Sequence, residues 1–121
     1  MIETAAAEQG RMVEAFACRH LESAGLTLVT RNFRCRQGEI DLIMREGAVL
    51  VFVEVRYRRQ SRFGSGAESV NGRKRLRIIT AARYFLHQSR EPEPPCRFDV
   101  VSVAGEPDRY AVEWIRNAFE A

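Results

Sequence analysis

Residues 38–58 read GEIDLIMREGAVLVFVEVRYR, two apolar runs of strand length, 38–45 and 48–57, around a Glu46–Gly47 pair that suits a tight hairpin. The second run is almost continuously apolar, the pattern of a strand covered on both faces. Glu54 and Arg56 interrupt it. Side chains alternate along a strand, so both fall on the face of Leu50 and Phe52, while Val49, Val51, Val53 and Val55 take the other. A lone carboxylate is expensive to bury there, and an arginine two residues away offsets only part of the desolvation. A divalent cation is a better partner. In the first run Asp41 lies on the face opposite Ile40, Leu42 and Met44, and two carboxylates on adjacent antiparallel strands can meet at hard-cation distance. The alternative is a strand-end salt bridge among Asp41, Glu54 and Arg56.

Upstream, residues 4–24 carry Val13, Phe16, Ala17, Leu21 and Ala24 on one helical stripe, stopped by Gly25, and 26–35 reads as a strand. On the helical wheel Glu14 falls between Leu21 and Cys18, inside the apolar arc. It either joins the same cation site, snorkels to the rim or pairs with an arginine. Downstream, RRQSRFGSGAE at 58–68 is a basic Gly/Ser-rich loop, expected to be mobile. A helix from Ser69 or Asn71 to Gln88 is expected to bury Leu76, Ile78, Ile79, Ala82, Phe85 and Leu86. The prolines of REPEPP (90–95) make an extended linker, and 97–104 and 109–114 read as strands. The order is αβββαββ. A helix before the hairpins and one after can cover both faces, which predicts an α/β protein, an α/β/α sandwich in one domain over 1–121.

With 121 residues, 45% hydrophobic and 29% charged, the chain is ordinary for a globular domain, and the proportions exclude collagen, coiled coil, disorder and a disulfide scaffold. The basic set is not ordinary: 18 of its 19 members are arginine, and Lys74 is the lone lysine. A GC-rich genome explains most of that bias, leaving the surviving amine as chance or as a chemical requirement. Residues 31–83 hold 13 basic and 5 acidic side chains, net +8, against −5 for the rest. This middle segment reads as a polyanion-facing surface, or as a solvated Arg-rich loop. Arg58, Arg59, Arg62, Arg73, Arg75 and Arg77 are the candidate nucleic-acid contacts. Cations in a helix's first turn oppose its dipole unless an anion sits there, and the wheel puts Lys74 on the rim of the buried face, within reach of the sheet.

Three cysteines without metal spacing read as reduced, buried thiols. No span long enough for a membrane and no secretory leader pattern are present, so a cytoplasmic protein without a membrane partner is expected. Asp99 reads as a structural partner of Arg97, and Trp114 as core.

GEIDLI, FVEVRYR, the Gly-containing loop, a helix with AARYFL, RFDVV and a terminal NAF together resemble the bacterial YraN family, from Gly10 to Phe119. That uncharacterised group is similar to Holliday-junction resolvases and other nucleases of the PD-(D/E)xK, restriction-endonuclease-like superfamily. The resemblance implies a restriction-endonuclease-like core with a mixed sheet. It makes Asp41 the first acid of the motif, Glu54 the second, Arg56 the position of the lysine and Glu14 the acid on the helix. This chain departs from the FVEVK pattern at Arg56, and arginine does not give up its proton to act as a base.

The expected function is therefore a Mg²⁺- or Mn²⁺-dependent endonuclease acting on DNA, rather than RNA, of branched or structured form. Asp41, Glu54, the Val55 carbonyl and Glu14 would hold the metal, and Arg56 and Lys74 would hold the phosphate. A homodimer is a further expected partner, because resolvase-like enzymes that cut two strands tend to be dimers. The rival reading keeps the fold without catalysis: a nucleic-acid-binding module in which Arg56 pairs with the site carboxylates.

Overall fold

A computed structural model describes residues 4–59, 70–89 and 92–121. Helix α1 (Ala5–Ser23) is followed by strands β1 (Thr27–Cys35), β2 (Gly38–Glu46) and β3 (Val49–Arg58), helix α2 (Gly72–Gln88), and strands β4 (Cys96–Ala104) and β5 (Ala111–Phe119). The αβββαββ order is the expected one. Of the loop expected at 58–68, Arg58 still belongs to β3, and residues 60–68, with Arg62, lie outside the described residues.

Each helix starts where its sequence offers an N-cap. The Thr4 hydroxyl accepts from the Ala7 amide at 3.1 Å and the Asn71 side chain from the Lys74 amide at 2.9 Å. At the end of α1, Gly25 at φ +102° lets its amide reach the Glu22 carbonyl while Leu26 N–H reaches Leu21, which closes the helix in a Schellman motif.

The strands form one sheet in chain order, β1-β2-β3-β4-β5. Only β3 and β4 are parallel, joined by the crossover through α2; the other neighbours are antiparallel. Val13, Ala17, Cys18 and Leu21 of α1 pack on Leu42, Met44, Val51, Val53, Val101 and Val103. Ile78, Ile79, Ala81 and Ala82 of α2 pack on Ile40, Ile43, Leu50, Phe52, Phe98 and Val100. The sheet is thus buried on both faces in an α/β/α sandwich, and full burial of each large apolar side chain contributes ~1.5–3 kcal/mol.

Four details differ from the sequence reading. The hairpin turn is Gly47–Ala48, with Glu46 still paired to Val49. Gly47 at φ +59° takes the left-handed first position of a two-residue turn. Glu46 stays in the strand because Arg97 and Arg116 hold its carboxylate at 2.6 and 2.8 Å. Leu76 is 62% exposed rather than buried, since it lies about 200° around the helix from Ile78. Cys96 is exposed, because it opens β4 just beyond the proline linker.

Strand β5 runs five residues past its expected end. Asn117, left-handed at φ +50°, donates its amide to Asp99 at 2.9 Å and lets the strand resume. Asp99, 0% exposed, also accepts from Arg97 and from the Trp114 indole N–H. It is the structural residue expected of it, and Trp114 packs on the α1-side core.

Candidate active site

The ladder between β2 and β3 runs from Glu46↔Val49 to Leu42↔Val53 and stops. The cause lies one residue further on. Arg31 pairs with Leu42, which faces α1, whereas Phe33 pairs with Ile40, and both of these pack on the α2 side. Two residues along a regular strand should share a face. Both strands therefore roll over at the intervening positions, Asn32 and Asp41, and Asn32 takes φ +52° to do so. This corrects the placement of Ile40 on the face of Leu42 and Met44. Past the roll, β2 leans toward α2: a Cβ on the buried Gly38 would collide with the Arg77 carbonyl, so only glycine permits the approach.

Asp41 is left in the gap. Its Oδ2 accepts the Val55 amide at 2.8 Å, taking the place of a strand partner, and its carboxyl hydrogen-bonds Glu54. Burial, then the Glu54 charge, push the Asp41 pKa up to about 8 against the pull of the Val55 amide. At neutral pH Asp41 thus holds its proton beside the Glu54 carboxyl group. Glu54 is 5% exposed. Its Oε2 lies 2.8 Å from Lys74 Nζ and 3.5 Å from Arg56 Nη1. The lone lysine does swing from α2 to the sheet, and Leu50 and Phe52 share the face of Glu54 as the alternation requires.

Glu14, half-buried on α1, approaches from the other side of the roll. The Asn32 side-chain amide donates to it. Burial raises its pKa, Asn32 opposes the rise, and the charges of Glu39 and Glu54 add to it. Glu14, Asp41 and Glu54 are thus within electrostatic reach of one another, but among the described residues no three acidic, His or Cys side chains are gathered into a metal cluster.

Beside the carboxylates is an open groove of about 210 Å³ lined by Glu39, Asn71, Arg73, Lys74, Arg77 and Ile78. Arg73 and Arg77 face it. Arg75 turns away, donating to the Val70 carbonyl at 2.8 Å with its guanidinium 5.5 Å from the Phe119 ring. Arg59 approaches Glu106 at 3.9 Å, and Arg58 ends β3. Of the described nucleic-acid candidates the structure therefore brings only Arg73 and Arg77 to the groove, beside Lys74 and Arg56 at Glu54.

Sequence reasoning missed Asn32 and Glu39. Glu39, in GEIDLI, could have been found from its place two residues before Asp41. An asparagine inside a strand run, where that residue is disfavoured, was the available sign for Asn32.

Residues 13–103 match the profile described as uncharacterised protein family UPF0102. The chain is 54% identical over 114 residues to a UPF0102 protein of Xanthomonas campestris pv. campestris, covering 93% of this chain and 91% of that one. It is 46% identical over 116 residues to one from Pseudomonas savastanoi pv. phaseolicola, covering 94% of each.

Proposed function

The chain belongs to the UPF0102 family, the uncharacterised bacterial family its motifs led us to expect, and we propose that it is a divalent-metal-dependent endonuclease acting on DNA of branched or structured form. The observation that carries this reading is the buried contact of the Asp41 carboxyl with Glu54, which lies 2.8 Å from Lys74, beside a cationic groove. A buried carboxyl pair that holds a proton is the metal-free counterpart of a dication site, because a hard cation can replace the proton.

The donor chemistry fits. Mg²⁺ is typically held by one or two carboxylates, with water and substrate oxygens completing its shell. Asp41 and Glu54 would hold it, with Glu14 as the third carboxylate. The amide and carbonyl of an extended residue point to the same edge of the strand, so the Val55 carbonyl shares the gap with Asp41. When bound, Mg²⁺ or Mn²⁺ supplies an acidified water and neutralises charge developing on the phosphate.

The chain's own residues do the rest. Lys74 and Arg56 draw the scissile phosphate toward Glu54, and Lys74 is the one amine there able to exchange a proton. Arg73 and Arg77, four residues apart on α2, rise by about 6 Å along it and contact successive backbone phosphates. Among the described residues no helix is long and apolar enough to cross a membrane; we place the protein in the cytoplasm, which suits its three free cysteines. Paired cuts on a four-way junction would take two copies of the chain, which sedimentation of the complex measures.

Incubating the protein with Mg²⁺ or Mn²⁺ and linear, flapped, single-stranded and four-way DNA tests the reading. Cleavage of at least one structured form, lost in Asp41→Asn, is expected; four intact substrates overturn it. The contacts of both Lys74 and Arg56 to Glu54 favour one second reading, a DNA-binding module whose cations satisfy the carboxylates without metal. In that case binding would be salt-sensitive and Mn²⁺ would leave the melting temperature unchanged.

A further inference from the structure

We propose that Asn32 is the positioning residue of the carboxylate site, its left-handed backbone rolling the β1–β2 hairpin over at Asp41 and its side chain holding Glu14 beside that roll. The role rests on the metal-site reading above and extends it to a residue that would touch neither metal nor DNA.

Three observations meet at this residue. Asn32 stands between Arg31↔Leu42 and Phe33↔Ile40 in the register, so it lies across from Asp41. Its φ of +52° is rare for a residue with a side chain and is tolerated best by glycine, asparagine and aspartate. Its side-chain amide donates to Glu14. The backbone and the side chain do separate work. The backbone turns Ile40 onto the α2 side and frees Asp41 from the β3 ladder, after which Asp41 can take the Val55 amide and meet Glu54. The side chain ties α1 to the edge strand at the one helical position that carries a core-facing carboxylate. Strain kept within a strand at a functional residue is a recurrent feature of sites that need fixed geometry.

Asn117 offers an internal comparison. It is also an asparagine with positive φ on an edge strand, and its amide bonds an aspartate, Asp99. That aspartate is closed in by Arg97 and Trp114 and fully buried. Asp41 instead takes the Val55 amide and meets Glu54, which Lys74 reaches from the groove. The same backbone device thus closes a structural network at one edge and opens a site at the other.

Two variants separate the backbone role from the side-chain role. Asn32→Gly permits the left-handed backbone but removes the amide; Asn32→Ala removes the amide and strains the backbone. Mn²⁺ binding by calorimetry and thermal melting are read on both. Asn32→Gly is expected to melt within a few degrees of the parent while binding Mn²⁺ about 10- to 100-fold more weakly, the usual loss when a residue supporting a metal ligand is removed. Raising Mn²⁺ should then restore its cleavage rate. Asn32→Ala should bind no better and melt several degrees lower. Parent-like Mn²⁺ affinity in Asn32→Gly overturns the side-chain role, and parent-like melting of Asn32→Ala overturns the backbone role, without touching the metal reading. A parent protein that binds no Mn²⁺ overturns the metal reading, and this role with it.

Discussion

The Lys74 ammonium lies 2.8 Å from the Glu54 carboxylate, and this contact brings the only lysine of the chain, from the first turn of α2, to the carboxylate that interrupts the apolar run of β3. Arg56, two residues along the same strand, reaches the same oxygen at the longer distance of 3.5 Å. The amine and the guanidinium are therefore not equivalent. Lys74→Arg should lower cleavage at least tenfold, because guanidinium cannot exchange a proton at neutral pH. Arg56→Lys should keep or raise the rate, since a second amine would stand beside Glu54. Equal rates in both variants, measured on one structured DNA, would return the lone lysine to chance.

Asp41 gives a stability prediction with a definite sign. Its folded pKa of about 8 stands above the roughly 3.9 of an unfolded aspartate, so the folded state binds the extra proton. Metal-free stability should therefore fall as pH rises from about 4 to about 8, with no contribution from this group below that range. Asp41→Asn mimics the protonated form, keeping an acceptor for Val55 and a donor for Glu54. It should flatten that slope and raise metal-free stability at pH 8 by ~2 kcal/mol, the order expected when a desolvated charge is removed. Urea denaturation at pH 5 and pH 8 measures both effects, and an unchanged slope in the variant would contradict the raised Asp41 pKa.

Glu46 has the opposite sign. Hydrogen bonds from Arg116 and Arg97 lower its pKa to about 2. The stability it contributes is present above the unfolded value near 4.3 and lost as pH falls toward about 2. Glu46→Gln should therefore weaken the protein at pH 6 and match the parent near pH 2, as followed by acid denaturation. Because this network lies away from the carboxylate gap, Mn²⁺ affinity at pH 7 should not change.

Gly38→Ala tests how β2 is aimed. A methyl group there meets the Arg77 backbone carbonyl, which cannot yield as a flexible side chain would. Relieving the overlap requires β2 and α2 to separate, at ~1–3 kcal/mol. The shift should also lengthen the reach from Lys74 to Glu54, so that thermal melting and metal-dependent cleavage fall together.

Much of this arrangement was legible in the chain. The alternation in 48–57 placed Glu54 and Arg56 with Leu50 and Phe52, and the wheel placed Lys74 on the rim and Glu14 inside the apolar arc. Two-residue periodicity failed at Asp41, because it assumes a strand without interruption, and the roll at Asn32 is a backbone event that composition does not encode. Leu76 was misread because hydrophobicity alone was taken as burial at a position opposite Ile78. Arg75 was grouped with its neighbours by charge, although its direction is set by the Val70 carbonyl and the Phe119 ring.

A crystal soaked in Mn²⁺ and measured for manganese anomalous scattering tests the central claim most directly. The account predicts one peak in the gap between β2 and β3, touching the Asp41 and Glu54 carboxylates and the Val55 carbonyl, with the Asp41 proton displaced. A gap without a peak, with the Arg56 guanidinium bridging both carboxylates, would contradict it.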